Sequence, residues 1–269
     1  MSAVEVTPGD GPVLLAMPHS GVEVPSALWE RLNERGRALA DTDWHVDRLY
    51  LPLLPGATRV RARFHRYVID ANRSPDGASL YPGQNSTALC PLTDFAGEPI
   101  YREGTEPDAA DIAARLREFH SCYHEALQRE ITRIKERFGC VVLYDCHSIR
   151  SVLPFLFDGE LAIFNIGSNG GRSCAPDVVA GMADICRTAT GYSHVVDGRF
   201  RGGWTTRHYG QPAAGVHAVQ MELAQRCYMD ATPPWRWREE RASAVQRVLG
   251  EILLALDELA RGGRLEMRT

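Results

Sequence analysis

Two histidines in this sequence each follow a short apolar run and sit among small residues. His19 lies in Pro18-His19-Ser20-Gly21 after Val13–Met17, and His147 lies in Asp145-Cys146-His147-Ser148 after Cys140–Tyr144. Asp70-Ala71-Asn72-Arg73 follows the run ending at Ile69, and Glu222 stands near the end of Val216–Leu223. If these runs are strands of an open α/β sheet, ligands gather beyond their carboxyl ends. Two histidines, several carboxylates and an arginine would then meet on one rim. Two His and a carboxylate, with water in the fourth position, make a catalytic zinc site. The competing reading is structural, because a lone histidine after a strand is more often a satisfied core residue. No local motif decides it: 128 positions separate His19 from His147, so only the fold could join them.

Other residues with chemical potential have plainer readings. His120 and His124 are spaced like a helical metal pair, but no Glu follows His120 and the H-E-x-x-H signature is missing. Cys146 beside His147 hints at a thiol nucleophile, yet neighbours along a strand point to opposite faces. Gly167-Ser168-Asn169-Gly170-Gly171 could cradle an anion, but it fits neither phosphate-binding pattern and reads as a turn. Trp235 and Trp237 read as anchors for the last helix.

The elements that must position these residues follow from hydrophobic patterning. Val13–Met17, Thr58–Phe64, Tyr67–Asp70, Cys140–Asp145, Leu161–Asn165 and Val216–Leu223 read as short strands buried on both faces. Helices are expected over Pro25–Arg35, Trp44–Leu54, Asp108–Phe138, Ala175–Thr188 and Trp235–Ala260. Pro52 should bend or end the second of these. Strands alternating with helices predict one α/β domain over residues 1–269, a mixed and mostly parallel sheet flanked by helices, with residues 1–10 a flexible N-terminus. The irregular stretch from Ser74 to Thr105 is too long for an idle connector and reads as functional.

Composition narrows the partners. Thirty Lys+Arg against 34 Asp+Glu leave a net charge of −4, so no basic field suggests nucleic acid. Apolar runs such as Val13–Met17 reach five residues, where a membrane span needs about 20. The first residues lack the basic region and apolar stretch of a secretory signal. Seven irregularly spaced cysteines without C-x-x-C read as reduced cytoplasmic thiols. A small-molecule substrate is the expected partner, with neither nucleic acid nor membrane.

Pro18-His19-Ser20-Gly21, Asp41–Leu49, Asp70-Ala71-Asn72-Arg73, Tyr144–Ser148, Gly202–Gly210 and Gln220-Met221-Glu222-Leu223 occur in this order. Together they resemble the N-formylglutamate amidohydrolase family, the deformylases that end one route of histidine degradation. The resemblance runs from about residue 11 to about residue 260, and the family is similar in fold to zinc carboxypeptidases and aspartoacylases. It implies a mononuclear zinc hydrolase that releases formate from N-formyl-L-glutamate.

The resemblance also implies roles. His19 and His147 match the two His ligand positions. The carboxypeptidases place an acidic ligand three residues after the first His, where this chain has Val22, and Glu23 is one step late. The third ligand is therefore expected from Asp43, with Asp47 the alternative. A helix N-cap is the competing role for Asp43. Glu222 matches the general base, against a buried ion pair with an Arg such as Arg226. Asn72 and Arg73 match the pair that holds a substrate carboxylate, and Arg207 could hold the second. The rival activities are an N-acyl amino-acid deacylase of other specificity, a cysteine amidase, and a metal-dependent binding protein without turnover.

Overall fold

In the computed structural model, which describes residues 2–78, 83 and 85–265, one seven-stranded sheet carries the chain. Its strands are β1 (Val4–Thr7), β2 (Val13–Met17), β3 (Thr58–Ala62), β4 (Val141–Ile149), β5 (Phe164–Gly167), β6 (His194–Val196) and β7 (Val216–Ala224). They lie in the order β1-β3-β2-β4-β7-β5-β6. The four central strands β3, β2, β4 and β7 are mutually parallel, while β1 and β5 run antiparallel to their neighbours β3 and β7. The sheet is therefore mixed and mostly parallel, as the patterning predicts.

The helices are α1 (Ser26–Trp29), α2 (Glu34–Arg37), α3 (Val46–Tyr50), α4 (Ala109–Arg115), α5 (Ser121–Phe138), α6 (Pro176–Thr188), α7 (Trp204–Tyr209) and α8 (Glu239–Arg261). A π-turn over Leu116–His120 joins α4 to α5. Alternate residues of β2 feed two apolar layers. Val13, Leu15 and Met17 pack with α3, α6 and α8. Leu14 and Ala16 pack with Tyr123, Leu127, Ile131 and Ile134 of α5 on the other face. Covered on both sides, the central strands read as unbroken apolar runs. Gly139, at φ 74°, ends α5 and donates to Lys135 O at 2.8 Å.

Several expectations need correction. Tyr67–Asp70 is no strand: it begins within a tight turn in which Val68 N donates to His65 O at 2.9 Å. It is apolar because Tyr67, Val68 and Ile69 are fully buried, and burial alone mimics a strand signal. The N-terminus is not free from residue 4 onward, since Val4–Thr7 pairs antiparallel with β3. The edge strand β6 is short and half-buried, which hides it from an apolar scan. The strand expected over Leu161–Asn165 starts at Phe164, and the helix expected over Pro25–Arg35 breaks into α1 and a separate turn capped by Asn33. The last helix begins at Glu239. Trp235, before it, stacks on Trp44 at 6.2 Å, and Trp237 packs on His45 at 5.8 Å.

The turn after β2 must pass close to the chain after β3. A Cβ added to Gly21 would lie 2.4 Å from the backbone carbonyl of Arg63, which cannot move aside cheaply. Gly21→Ala should cost about 1–3 kcal/mol, the usual range for overpacking. Urea denaturation checks this, and a midpoint equal to that of the parent protein would show that the turn has room.

Candidate metal centre

His147 and Glu222 are register partners on the adjacent parallel strands β4 and β7, with Asp145 and Gln220 one pleat below. His19 lies two residues beyond β2, the other neighbour of β4. The connection before α3 brings in Asp43, whose backbone N–H donates to His19 O at 3.1 Å. Each of the three side chains is at most 2% exposed.

Three acceptor atoms converge. His19 Nδ1 and His147 Nδ1 are 3.2 Å apart, and Asp43 Oδ2 lies 3.2 Å from the second and 3.9 Å from the first. Tetrahedral ligands at about 2.0–2.1 Å from a zinc ion stand roughly 3.3–3.4 Å from one another. The triangle already has nearly that size. Among the described residues this is the group able to hold a metal ion.

The surroundings set the histidine protons. His19 Nε2 donates to Asp70 Oδ1 at 2.7 Å, and His147 Nε2 lies 3.1 Å from Asp145 Oδ2. A carboxylate only accepts, so His19 Nε2 carries its proton and its Nδ1 turns a lone pair inward. Asn72 Nδ2, 3.0 Å from His147 Nε2, shares the same Asp145 oxygen at 3.4 Å. Arg66 binds the far side of Asp70 at 2.8 Å and stands 3.7 Å from Asp43 Oδ1, which has no hydrogen-bond partner among the described residues.

Electrostatics separates the two rings. Burial, helped by the Arg66 charge, lowers His19 and keeps it neutral. Burial acts the same way on His147, but Asp145 and Asp43 outweigh it and hold it well above the ordinary histidine value. Burial would raise Asp70, yet His19, Arg73 and Arg66 keep it well below the usual carboxylate range. Glu222 is pushed up to about 8 by burial. Its Oε2 accepts from Gln220 Nε2 at 3.0 Å. Arg226 is not its partner: that side chain binds Leu161 O at 2.8 Å and Glu160 at 3.3 Å.

The structure places the remaining candidates as follows. Asp47 pairs with Arg61 at 3.3 Å, away from the histidines. Asp43 does not cap α3: it accepts from Ser148 N at 3.1 Å, and His45 occupies the cap position. Arg73 lines the cleft with Asn72, whereas Arg207 does not line it and donates from Nε to Gly202 O at 3.0 Å. Cys146 points into the opposite apolar layer, and burial keeps its thiol well above the ordinary value. Ser168 and Asp197 close the Gly167–Gly171 stretch into a turn through a short side-chain hydrogen bond.

With this geometry established, comparison with known proteins is decisive. Residues 11–229 match the sequence profile of N-formylglutamate amidohydrolase. The chain belongs to the N-formylglutamate amidohydrolase family. N-formylglutamate deformylase of Pseudomonas putida is 46% identical over 246 residues, 91% of this chain and 92% of that protein. The deformylase of Pseudomonas aeruginosa PAO1 is 47% identical over 249 residues, covering 92% and 93%. The crystal structure of N-formylglutamate amidohydrolase from Ralstonia eutropha JMP134 matches with a TM-score of 0.83 at 25% identity, covering 98% of this chain and 100% of that one. The Agrobacterium tumefaciens gene product Atu2144, at 22% identity, shares the fold with a TM-score of 0.72 over 96% of each chain.

Asp70 and Asp145, which orient the two rings, are quoted in the motifs but receive no role from sequence. Asp145-Cys146-His147 carried a usable signal, since positions two apart on a strand share a face. His120 and His124 prove to be satisfied helix residues with a positioning part. Their Nε2 atoms donate to Arg73 O at 3.0 Å and Ala71 O at 2.8 Å, on either side of Asn72.

Two outcomes follow from this geometry. His147→Ala should lower metal affinity by more than the roughly 10–100-fold typical of losing an outer-shell partner. Its circular dichroism should barely change, and a variant that still loads a stoichiometric ion would remove His147 from the centre. The second outcome concerns His124, lowered by burial from 6.5 to about 3. The unfolded chain takes up this proton first as pH falls, so stability is lost from about pH 6.5 downward, by up to ~1.4 kcal/mol per pH unit. His124→Gln should lose less stability than the parent between pH 7.5 and pH 5 in urea titrations. Equal losses would show that His124 is not the linked group.

Proposed function

We propose that this chain is a metal-dependent amidohydrolase that cleaves N-formyl-L-glutamate to L-glutamate and formate. The observation that carries the reading is the triangle of three buried acceptors beside Glu222, in a chain 46–47% identical to N-formylglutamate deformylases. His19, Asp43 and His147 would hold the ion, and two nitrogens with one carboxylate oxygen suit zinc. When bound, such an ion polarises a carbonyl and brings the pKa of a water towards about 7.

The chain's own residues do the rest. Glu222 takes a proton from the attacking water and delivers it to the leaving nitrogen. A carboxyl raised to about 8 by burial is suited to give that proton back near neutral pH. Asp70 and Asp145 keep both rings fixed during the exchange. Arg73 offers a guanidinium fork to a substrate carboxylate. Three groups lock it: Thr87 O at 3.0 Å, Thr87 Oγ1 at 2.9 Å and Asn72 O at 3.0 Å. Phe95, Leu156 and Phe200 line the cleft and limit the water that competes for these polar contacts.

A place at the end of histidine degradation, in the cytoplasm, fits this substrate. All seven cysteines are free, and no helix of the described residues is long and apolar enough to cross a membrane. The partner is then a small molecule rather than nucleic acid or lipid.

Formate release, measured beside metal content on N-formyl-, N-acetyl- and N-succinyl-glutamate, tests the assignment. The parent protein should favour the formyl compound. Glu222→Gln should keep its metal and lose about 10²–10⁴-fold in kcat, the usual size of a general-base contribution. Normal turnover in that variant would remove Glu222 from the chemistry.

A further inference from the structure

Asn85, Ser86 and Thr87 form part of the wall of the cleft above the three acceptors. Two arginines grip the ends of that short stretch. Arg73 holds Thr87, as described above. Arg199 donates from Nη2 to Asn85 O at 2.9 Å and from Nε to Leu156 O at 2.9 Å. Asn85 is itself tied across the cleft, donating from Nδ2 to Phe155 O at 2.8 Å. Both arginines line the same cleft as His147 and Glu222.

Two arginines on one cleft suit a dicarboxylate. Two residues of chain span at most about 7 Å, which bounds the distance between the Asn85 and Thr87 carbonyls. Four carbon–carbon bonds of about 1.5 Å join the carboxyl carbons of glutamate and set them roughly 5 Å apart when extended. Two guanidinium groups anchored at such neighbouring points can meet one carboxylate each. Carbonyl acceptors at Asn85 and Leu156 hold the Arg199 guanidinium, and its Cζ lies 5.4 Å from the Phe200 ring centroid.

We propose that Arg199 is the specificity-determining residue for the side-chain carboxylate of the substrate, with Arg73 taking the α-carboxylate. This rests on the N-formylglutamate reading above and replaces Arg207, whose Nε turns back to its own loop. Residues 79–82 and 84, in the Ser74–Thr105 stretch, lie outside the described residues and take no part in the argument.

The test compares kcat/KM for N-formyl-L-glutamate and N-formyl-L-glutamine in the parent protein, Arg199→Gln and Arg199→Lys. Charge-assisted contacts of this kind correspond to roughly ten- to hundredfold in affinity. Arg199→Gln should lose about that factor on the glutamate compound and change little on the glutamine compound, which also reports that the variant is folded. Arg199→Lys should recover part of the loss, since an ammonium lacks the fork. An unchanged preference for the acid, an equal loss on both substrates, or a collapse of preference in Arg207→Gln instead would overturn the proposal. A parent protein that releases no formate from N-formylglutamate would overturn the underlying reading and this inference with it.

Discussion

Two imidazole nitrogens and a carboxylate oxygen are made to face one another at the buried floor of the cleft. That crowded arrangement is the constraint on which the rest depends. Left alone, such a group would be costly to bury, yet the chain builds it deliberately. Asp70 takes the outer ring proton of His19, so that ring cannot relieve the crowding by changing tautomer. A positive charge at the centre of the triangle turns the repulsion into attraction. His147 shows the same demand: Asp145 and Asp43 raise its proton affinity well above normal despite burial. A proton and a metal ion would therefore compete for one position, so metal affinity should fall as pH falls.

The sheet supplies the rigidity this needs. His147 and Glu222 come from neighbouring strands in register, so their separation is set by the hydrogen-bond ladder rather than by loops. His19 leaves β2 into a turn pressed against Arg63, with no space for a side chain at Gly21. Asn72 is held as firmly. Its N–H donates to Asp70 at 2.9 Å, its Oδ1 accepts from Thr205 N at 2.9 Å, and its amide fills the space a Cβ on Gly203 would need. His120 of the π-turn and His124 of α5 hold the carbonyls on either side. Asn72, proposed to face the substrate, thus inherits its position from the same network that orients His19.

What could be read from sequence divides along that line. The central strands were legible because burial on both faces leaves an unbroken apolar run, and the polar residues just beyond them mark the rim. Burial without pairing gave the false strand at Tyr67–Asp70. Edge strands β1 and β6 escaped because they bury only one side; Val4-Glu5-Val6-Thr7 does alternate, and that period was the available signal. Asp43 could not be separated from Asp47 by spacing, since both lie near the start of one helix. Only the turn at His45, with φ 62°, sends Asp43 inward and leaves Asp47 to Arg61. Arg199 had no local signature, because its role depends on two carbonyls that are 43 and 114 positions away.

The centre therefore has two layers of different character. The groups that would hold a metal and move a proton are almost wholly buried and stand on or beside strands. The groups that would choose the acid are half-buried arginines held by loop carbonyls at residues 85, 87 and 156. A charge that remains partly hydrated is cheaper to move than one locked in a dry network. Changes in the loops can thus shift which carboxylic acid is accepted while the triangle and its outer carboxylates stay intact. The reverse does not hold, because a change at Asp70 disturbs His19, Arg66 and Asn72 together. On the proposed reading, the buried groups would then keep the hydrolytic chemistry constant while acceptance of one acid over another would rest on the anchored arginines at the mouth.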